Sequence, residues 1–267
     1  MRIIIIVQAR TSSTRLPGKV LLPILEKPVL LHQLDRINAS KLKSEVVVAT
    51  SCNIEDDKIA ELCEANGFKV YRGDLLDLLD RHYKAAVQYE ADIVVKIPSD
   101  CPLIDPDIID KVLLRFINNF DKYDFVSNLH PATYPDGNDV EVMSLPVLRK
   151  AWLEAEKKYE LEHTTPYIWD NPQKFRVGNV LWETGLDYSK SHRFTLDYIE
   201  DYNFIKRIYE ELYPKNPLFS LYNILQLLEK KPTIMKLNEK HSGEFWYRNH
   251  FKDLKTLDNN KQRMLTI

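Results

Sequence analysis

Glycine is scarce in this chain, with seven in 267 residues, and only Gly18 falls in the polar stretch after the first apolar run. That scarcity excludes both glycine-built phosphate loops. A Walker loop needs glycines ahead of a Lys-Ser/Thr pair, whereas Lys19 is followed by Val20; a dinucleotide fingerprint needs three spaced glycines. Cysteine is nearly as rare. Cys52, Cys63 and Cys101 are odd in number and form no CxxC pair, which fits a reduced, cytoplasmic protein without structural zinc. There is little excess charge of either sign: the formal net charge is −2, which argues against a partner that is a nucleic-acid polymer, since that needs a broad cationic face. The N-terminal apolar run, Ile3 to Val7, is too short for a membrane span and lacks the cleavage site of a signal peptide. No repeat or low-complexity segment is present. What remains, 44% hydrophobic and 28% charged residues, is the composition of a soluble globular protein with no membrane role.

What the chain does have begins at its amino terminus. Ile3 to Val7 are apolar and mostly β-branched, the pattern of a strand buried on both faces. Polarity then inverts at once through Gln8, Arg10, Thr11, Ser12, Ser13, Thr14, Arg15 and Lys19. A core strand that runs into three cations and four hydroxyls is suited to an anion at the strand's carboxyl end, where open α/β sheets bind ligands. Hydroxyl donors, backbone N–H groups and bidentate guanidinium together match a polyphosphate. A solvated basic turn is the plain alternative.

Strand and helix patterns alternate from there. Pro28 opens a helix over Val29 to Asn38, and Glu45 to Ala49 is a buried strand leading to Thr50. Asp56 to Asn66 is amphipathic with Gly67 as its C-cap, and Phe68 to Tyr71 is a third strand. Arg72 and Gly73 then lead into a helix with Leu75, Leu78, Leu79 and Tyr83 on its buried face. Asp92 to Ile97 is a fourth strand and Phe125 to Asn128 a fifth. The order predicts a Rossmann-like α/β fold, a mostly parallel central sheet with helices on both faces. An alternating strand is expected at Val140 to Ser144, helices at Pro146 to Lys158 and Glu162 to Trp169, a sub-sheet strand at Phe175 to Val180, and a short strand at His192 to Leu196. Residues 1–213 read as the main domain, with about 130–185 as an elaboration, and 214–267 as a helical extension packed on it, with a helix from Leu218 to Leu228. His241 and His250 are nine residues apart, which is not a metal-ligand spacing.

Six acids stand out on physical grounds. Asp105 with Pro106 is a helix start. Asp100 is too early to cap that helix and leaves a buried strand on the same sheet edge as the cationic loop. A carboxylate facing a polyphosphate is repelled unless a divalent cation lies between, and Mg²⁺ favours one or two carboxylates plus phosphate oxygens. Asp197 sits at a strand-to-helix junction, where it is also an obvious N-cap. Asp139 and Glu141 alternate with Val140 and Val142 and so share a strand face, while Asp136 in Pro135-Asp136-Gly137 is sound turn chemistry.

Four separated stretches, QARTSSTRLPGK, RGDLLDLLDR, SDCPLIDP and HRFTLDY, resemble in the same order those of the cytidylyltransferases that make CMP-activated sugars. These include CMP-Kdo synthetase and the acylneuraminate cytidylyltransferases, and the likeness is strongest to the SpsF-like branch. It spans roughly Met1 to Glu211. The resemblance implies transfer of CMP from CTP to a sugar acid or related small acceptor, with pyrophosphate released, in surface polysaccharide or glycan synthesis. It implies nucleotide contacts from Gln8, Ala9, Arg10, Ser12, Ser13, Arg15, Lys19, Thr50, Arg72, Asp80 and Arg81, with Arg10, Lys19, Asp100 and Asp197 as the catalytic set. Asp100 and Asp197 would hold Mg²⁺. Asp136, Asp139, Glu141, His163 and Arg193 would meet the acceptor, and the later half of the chain would make a homodimer. Ser99, Leu161 and Ile199 stand where the family has glycine, arginine and proline. Two other functions share the architecture: a nucleotide-sugar-dependent glycosyltransferase, although Ser99-Asp100-Cys101 is not its DxD motif, and a non-catalytic nucleotide-binding subunit.

Overall fold

The computed structural model describes residues 1–244, 252–258 and 263–264. Seven strands form the central sheet: β1 (Ile3–Gln8), β2 (Glu45–Ser51), β3 (Lys69–Gly73), β4 (Ile93–Pro98), β5 (Phe125–Ser127), β6 (Glu141–Ser144) and β7 (Val177–Asn179). Their spatial order is β3-β2-β1-β4-β6-β5-β7. All run parallel except β6, which is antiparallel to both β4 and β5. Gln8 pairs with both Ala49 and Pro98, so the three innermost parallel strands end at one level and share a carboxyl edge.

The helices are α1 (Val29–Asn38), α2 (Asp57–Ala65), α3 (Leu78–Gln88), α4 (Pro106–Ile117), α5 (Leu145–Glu154), α6 (Lys158–His163), α7 (Pro166–Trp169), α8 (Ile199–Leu212) and α9 (Leu221–Lys230). Alternate strand residues point to opposite faces, and each face has its own core. Ile5, Val7, Val48 and Val95 pack against α1, α4, α8 and α9. Ile4, Ile6, Val47 and Val94 pack against α3, α5 and α7. The mostly parallel sheet with helices on both faces is as expected, and α9 shares the first core through Leu221, Ile224, Leu227 and Leu228. Among the described residues, no helix is long and apolar enough to cross a membrane.

Asp105 caps α4 as expected, accepting the Asp107 N–H at 2.9 Å, and its second oxygen accepts the N–H of Leu221 at 2.6 Å. One buried carboxylate thus starts two helices. Asp105→Ala removes a cap and strands a buried donor, a loss of about 2 kcal/mol. Thermal unfolding should register it as a melting temperature lowered by about 5 °C.

The later half departs from the sequence expectation in three places. The two helices expected over 146–158 and 162–169 are three. Ala155 is extended after α5, Thr164 takes φ 72° after α6, and Pro166 fits only the first turn of a new helix. Val177–Asn179 is an edge strand of the main sheet, parallel to β5; the small separate sheets among the described residues are Pro23–Ile24 with Lys27–Pro28 and Leu257–Asp258 with Arg263–Met264. No strand forms over His192 to Leu196. That segment crosses the sheet end by single exchanges, Phe194 N–H to the Asp136 carbonyl at 2.7 Å and Leu196 N–H to the Asp100 carbonyl at 2.8 Å. The crossing is close because Gly137 lies beneath it at φ 98°, where a Cβ would stand 2.6 Å from the Phe194 carbonyl carbon.

Candidate active site

A cleft of about 770 Å³ opens at the carboxyl edge of β1 and β4. Strand parity decides which side chains reach it. Ile4, Ile6, Val94 and Met143 face the α3 core, so Gln8, Lys96 and Glu141, each two residues along, face the same way and line the cleft.

The loop after β1 is folded on itself. The Thr11 carbonyl accepts the N–H groups of Ser13 and Gly18, both at 2.9 Å, and Gly18 takes the left-handed conformation, φ 68°. Asp56 anchors the loop, accepting both the N–H and the hydroxyl of Thr11 at 2.7 Å. Burial opposes its charge, but hydrogen bonds from Ser51 and Thr11 hold its carboxyl below the usual range. The loop cations then turn inward. Lys19 Nζ donates to the Leu196 carbonyl at 2.6 Å and to Asp197 at 2.9 Å, and lies 3.6 Å from Asp100. Arg15 reaches Asp197 at 2.6 Å. Arg193 supports the same carboxylate from behind at 3.1 Å. Burial would raise the Asp197 pKa, yet Lys19 and Arg15 outweigh it and the value is lowered.

Arg81 is fully buried at the cleft wall. Its Nη1 donates to the Asp74 carbonyl at 3.1 Å, whereas its Nε is buried with no hydrogen-bond partner. Burial and neighbouring Arg10 bring its pKa down to about 10. A guanidinium short of acceptors beside a cationic loop is suited to an anionic ligand. The opposite wall is acidic. Burial and Asp139 raise the Asp136 pKa well above its ordinary value, and burial with Asp100 and Glu141 brings Asp139 up to about 7. Glu141 goes the other way, to about 2: burial opposes its charge but Lys96 and His130 prevail, and Thr165 donates to it at 2.6 Å.

Of the residues singled out from sequence, Gln8, Ala9, Arg10, Ser13, Arg15, Lys19, Arg81, Asp100, Asp136, Asp139, Glu141, His163 and Asp197 line this cleft. Ser12 is exposed elsewhere on the loop, and Arg193 stands behind the wall. Thr50 and Arg72 pair across β2 and β3 and fall outside it. Arg72 instead donates to the Ser51 and Asn53 carbonyls and pairs with Asp57 at 2.6 Å. Asp80 is likewise outside, accepting from Trp152 Nε1 at 2.9 Å and pairing with Lys84. Asp197 does not cap α8; Asp201 does that work, accepting the N–H groups of Asp197 and Tyr198 at 2.9 and 3.0 Å. His250 lies outside the described residues. Sequence reasoning passed over Lys96, His130, Trp169 and Tyr198, all in the cleft. Lys96 had a signal, a lone charge inside the apolar run DIVVKI.

Against this geometry, the family model described as cytidylyltransferase matches residues 4–254. The chain belongs to the cytidylyltransferase family. It is 37% identical over 242 residues to an uncharacterised protein of Methanocaldococcus jannaschii, covering 89% of this chain and 95% of that one. It is 30% identical to the spore coat polysaccharide biosynthesis protein SpsF of Bacillus subtilis, over 86% of this chain and 95% of SpsF. Among solved structures, a cytidylyltransferase from Leptospira borgpetersenii superposes with a TM-score of 0.83 at 36% identity, covering 88% of this chain and 97% of that one. The family match bears out the resemblance seen in the four sequence stretches.

The carboxylates of the cytidylyltransferase cleft bear on its fit to a divalent cation. Asp100 and Asp197 reach the same ammonium, and beside them Asp136 and Asp139 hold protons more tightly than isolated carboxylates do. Asp197 is already met by Lys19, Arg15 and Arg193, so the shortage of positive charge lies at Asp136 and Asp139. Among the described residues, no three His, Cys, Asp or Glu side chains group as ligands of one ion. An ion held here would therefore take one or two carboxylates and complete its shell from phosphate and water, the arrangement Mg²⁺ favours.

Proposed function

We propose that the chain transfers CMP from CTP to an oxygen of a small sugar acid or related acceptor, with release of pyrophosphate, in the synthesis of a surface polysaccharide or glycan. The observation that carries this reading is the meeting of Asp100 and Asp197 at Lys19, beside Arg10 and Arg15, at the carboxyl edge of the sheet. In this reading Arg10, Ser13, Arg15 and Lys19 hold the β- and γ-phosphates, with Ser12 exposed on the same loop, and Arg81 offers its unmet donor to the nucleotide. Asp100 and Asp197 are the residues that would hold Mg²⁺, which when bound neutralises phosphate charge and orients the α-phosphate for displacement.

The acceptor oxygen bonds to the α-phosphorus as the bond to the bridging oxygen of the leaving pyrophosphate breaks. The hydroxyl proton passes to water. Lys19 and Arg15 neutralise the charge that gathers on the leaving group, so the chain's part is positioning and electrostatic stabilisation. Asp136, Asp139 and His163 face the acceptor. Glu141, engaged by Lys96 and Thr165, shapes that wall, and Arg193 holds Asp136 and Asp197 in place. The reading includes a cytoplasmic homodimer built through the aromatic-rich later half.

The test is pyrophosphate release with CTP, UTP, ATP and GTP against a panel of acceptors that includes eight- and nine-carbon sugar acids. Turnover is expected with CTP and Mg²⁺. CTP binding without pyrophosphate release from any acceptor would indicate a binding subunit, and consumption of a preformed nucleotide sugar would indicate a glycosyltransferase.

A further inference from the structure

Tyr198 directly follows Asp197 and lines the cleft. The Arg15 guanidinium carbon lies 5.3 Å from the centre of its ring. The same ring stacks on the imidazole of His241, with centres 3.9 Å apart and planes 6° from parallel. His241 stands between two carboxylates, its Nε2 3.4 Å from Glu200 and its Nδ1 3.4 Å from Glu244. The turn that carries it is fastened to the sheet end. Buried Asn238 donates to the Arg193 carbonyl at 2.9 Å and to Asp201 at 3.0 Å, and the Glu244 carbonyl accepts from Arg193 at 3.4 Å. A segment beyond all four sequence motifs thus touches a cation of the first one through a single aromatic ring.

We infer that Tyr198 and His241 are positioning residues for Arg15. The Arg15 side chain is 48% exposed and, among the described residues, its ion pair is to Asp197. A guanidinium tethered at one point swings about that point; a ring against it removes part of that freedom. The ring is in turn fixed by His241, and the Tyr198 backbone by Asp201. An arginine already held in place loses less freedom when it meets phosphate, so the stack strengthens nucleotide binding without touching the nucleotide. This inference rests on the CTP reading, because Arg15 is taken there as a triphosphate contact.

The experiment is calorimetric binding of CTP with Mg²⁺ to the full chain and its variants. Tyr198→Leu is expected to weaken binding about tenfold and His241→Ala about three- to fivefold. His241→Phe, which keeps the flat partner, should stay within about twofold of the parent. With Arg15→Ala already present, His241→Ala should add nothing, the coupling that a general loss of stability does not produce. If Tyr198→Leu melts early, the His241 variants decide. The inference falls if His241→Phe binds as poorly as His241→Ala, if the His241→Ala loss is undiminished without Arg15, or if every variant binds like the parent. Failure of the unaltered chain to bind CTP would overturn the cytidylyl-transfer reading itself.

Discussion

Asp100→Asn is expected to lower kcat with CTP by about two to three orders of magnitude and to leave the melting temperature almost unchanged. The separation of the two effects follows from where Asp100 stands. Its side chain is 31% exposed and pairs with Lys19 at 3.6 Å, which keeps Asp197 and the Leu196 carbonyl in either case. The part of Asp100 that serves the fold is its backbone carbonyl, which accepts the Leu196 N–H at 2.8 Å and the Thr195 hydroxyl at 3.1 Å. Asparagine keeps that carbonyl and the side-chain shape and removes only the charge. Asp197→Asn would be a poorer probe, since Asp197 holds Lys19, Arg15 and Arg193 at once. Pyrophosphate release measured against Mg²⁺ concentration, beside thermal unfolding of the same samples, separates chemistry from stability. Near-normal turnover in the variant would remove Asp100 from the mechanism.

The cationic half of this site was legible because its signals are local. A buried strand, an abrupt change of polarity and a cluster of loop cations lie within Ile3 to Lys19, and Asp100 announces itself as a carboxylate too early for the cap that Asp105 supplies. Strand parity, by contrast, separates Thr50 and Arg72 from the cleft. Ala49 packs into the α3 core and Val48 into the opposite one, so Thr50 belongs with Val48 and turns from the cleft. Tyr71 packs against the α3 core, and Arg72 beside it turns toward α2 and Asp57. Arg72 belongs to the RGDLLDLLDR stretch, and both residues sit at strand exits. The period of two sends them to the far face.

The acidic wall was hidden for a different reason. Asp136, Asp139 and Glu141 could be placed on a turn and a strand, but their charge states depend on neighbours far apart in sequence. Glu141 is held low by Lys96 and His130, while Asp139, on the same strand approach, goes up because burial and two other carboxylates surround it. Likewise, the link between His241 and Arg15 joins segments more than two hundred residues apart through one ring, and no local pattern encodes it. Hydrophobic periodicity also could not show that a helix over 146–158 stops at Glu154. The breaks at Ala155 and Thr164 serve to bring Thr165 and Trp169 into the cleft.

Arg193→Met should be among the most damaging single changes to stability. The guanidinium is buried and meets three carboxylates: Asp201 through Nε at 2.9 Å, Asp197 through Nη2 at 3.1 Å and Asp136 through Nη1 at 3.4 Å. Methionine fills much of the volume but leaves Asp136 and Asp201 without their cation, while Asp197 keeps Lys19 and Arg15, a loss of about 4 kcal/mol and about 10 °C in melting temperature. Asp201 retains N–H donors from Asp197, Tyr198 and Asn238, which keeps the fall from being larger. The pH dependence has a definite sign. In the parent chain, the depressed Asp197 pKa supplies stability that is present above about pH 4 and lost as the pH falls through its folded value. Asp136 is already raised by burial, with Arg193 opposing the rise; without Arg193 both acids hold their protons to higher pH. Protonated acids no longer need the missing cation. The deficit of the variant should therefore be smaller near pH 4.5 than near pH 8, as paired unfolding curves would show. A deficit equal at both values would mean that lost packing, and not the loss of the cation between these carboxylates, accounts for the fall.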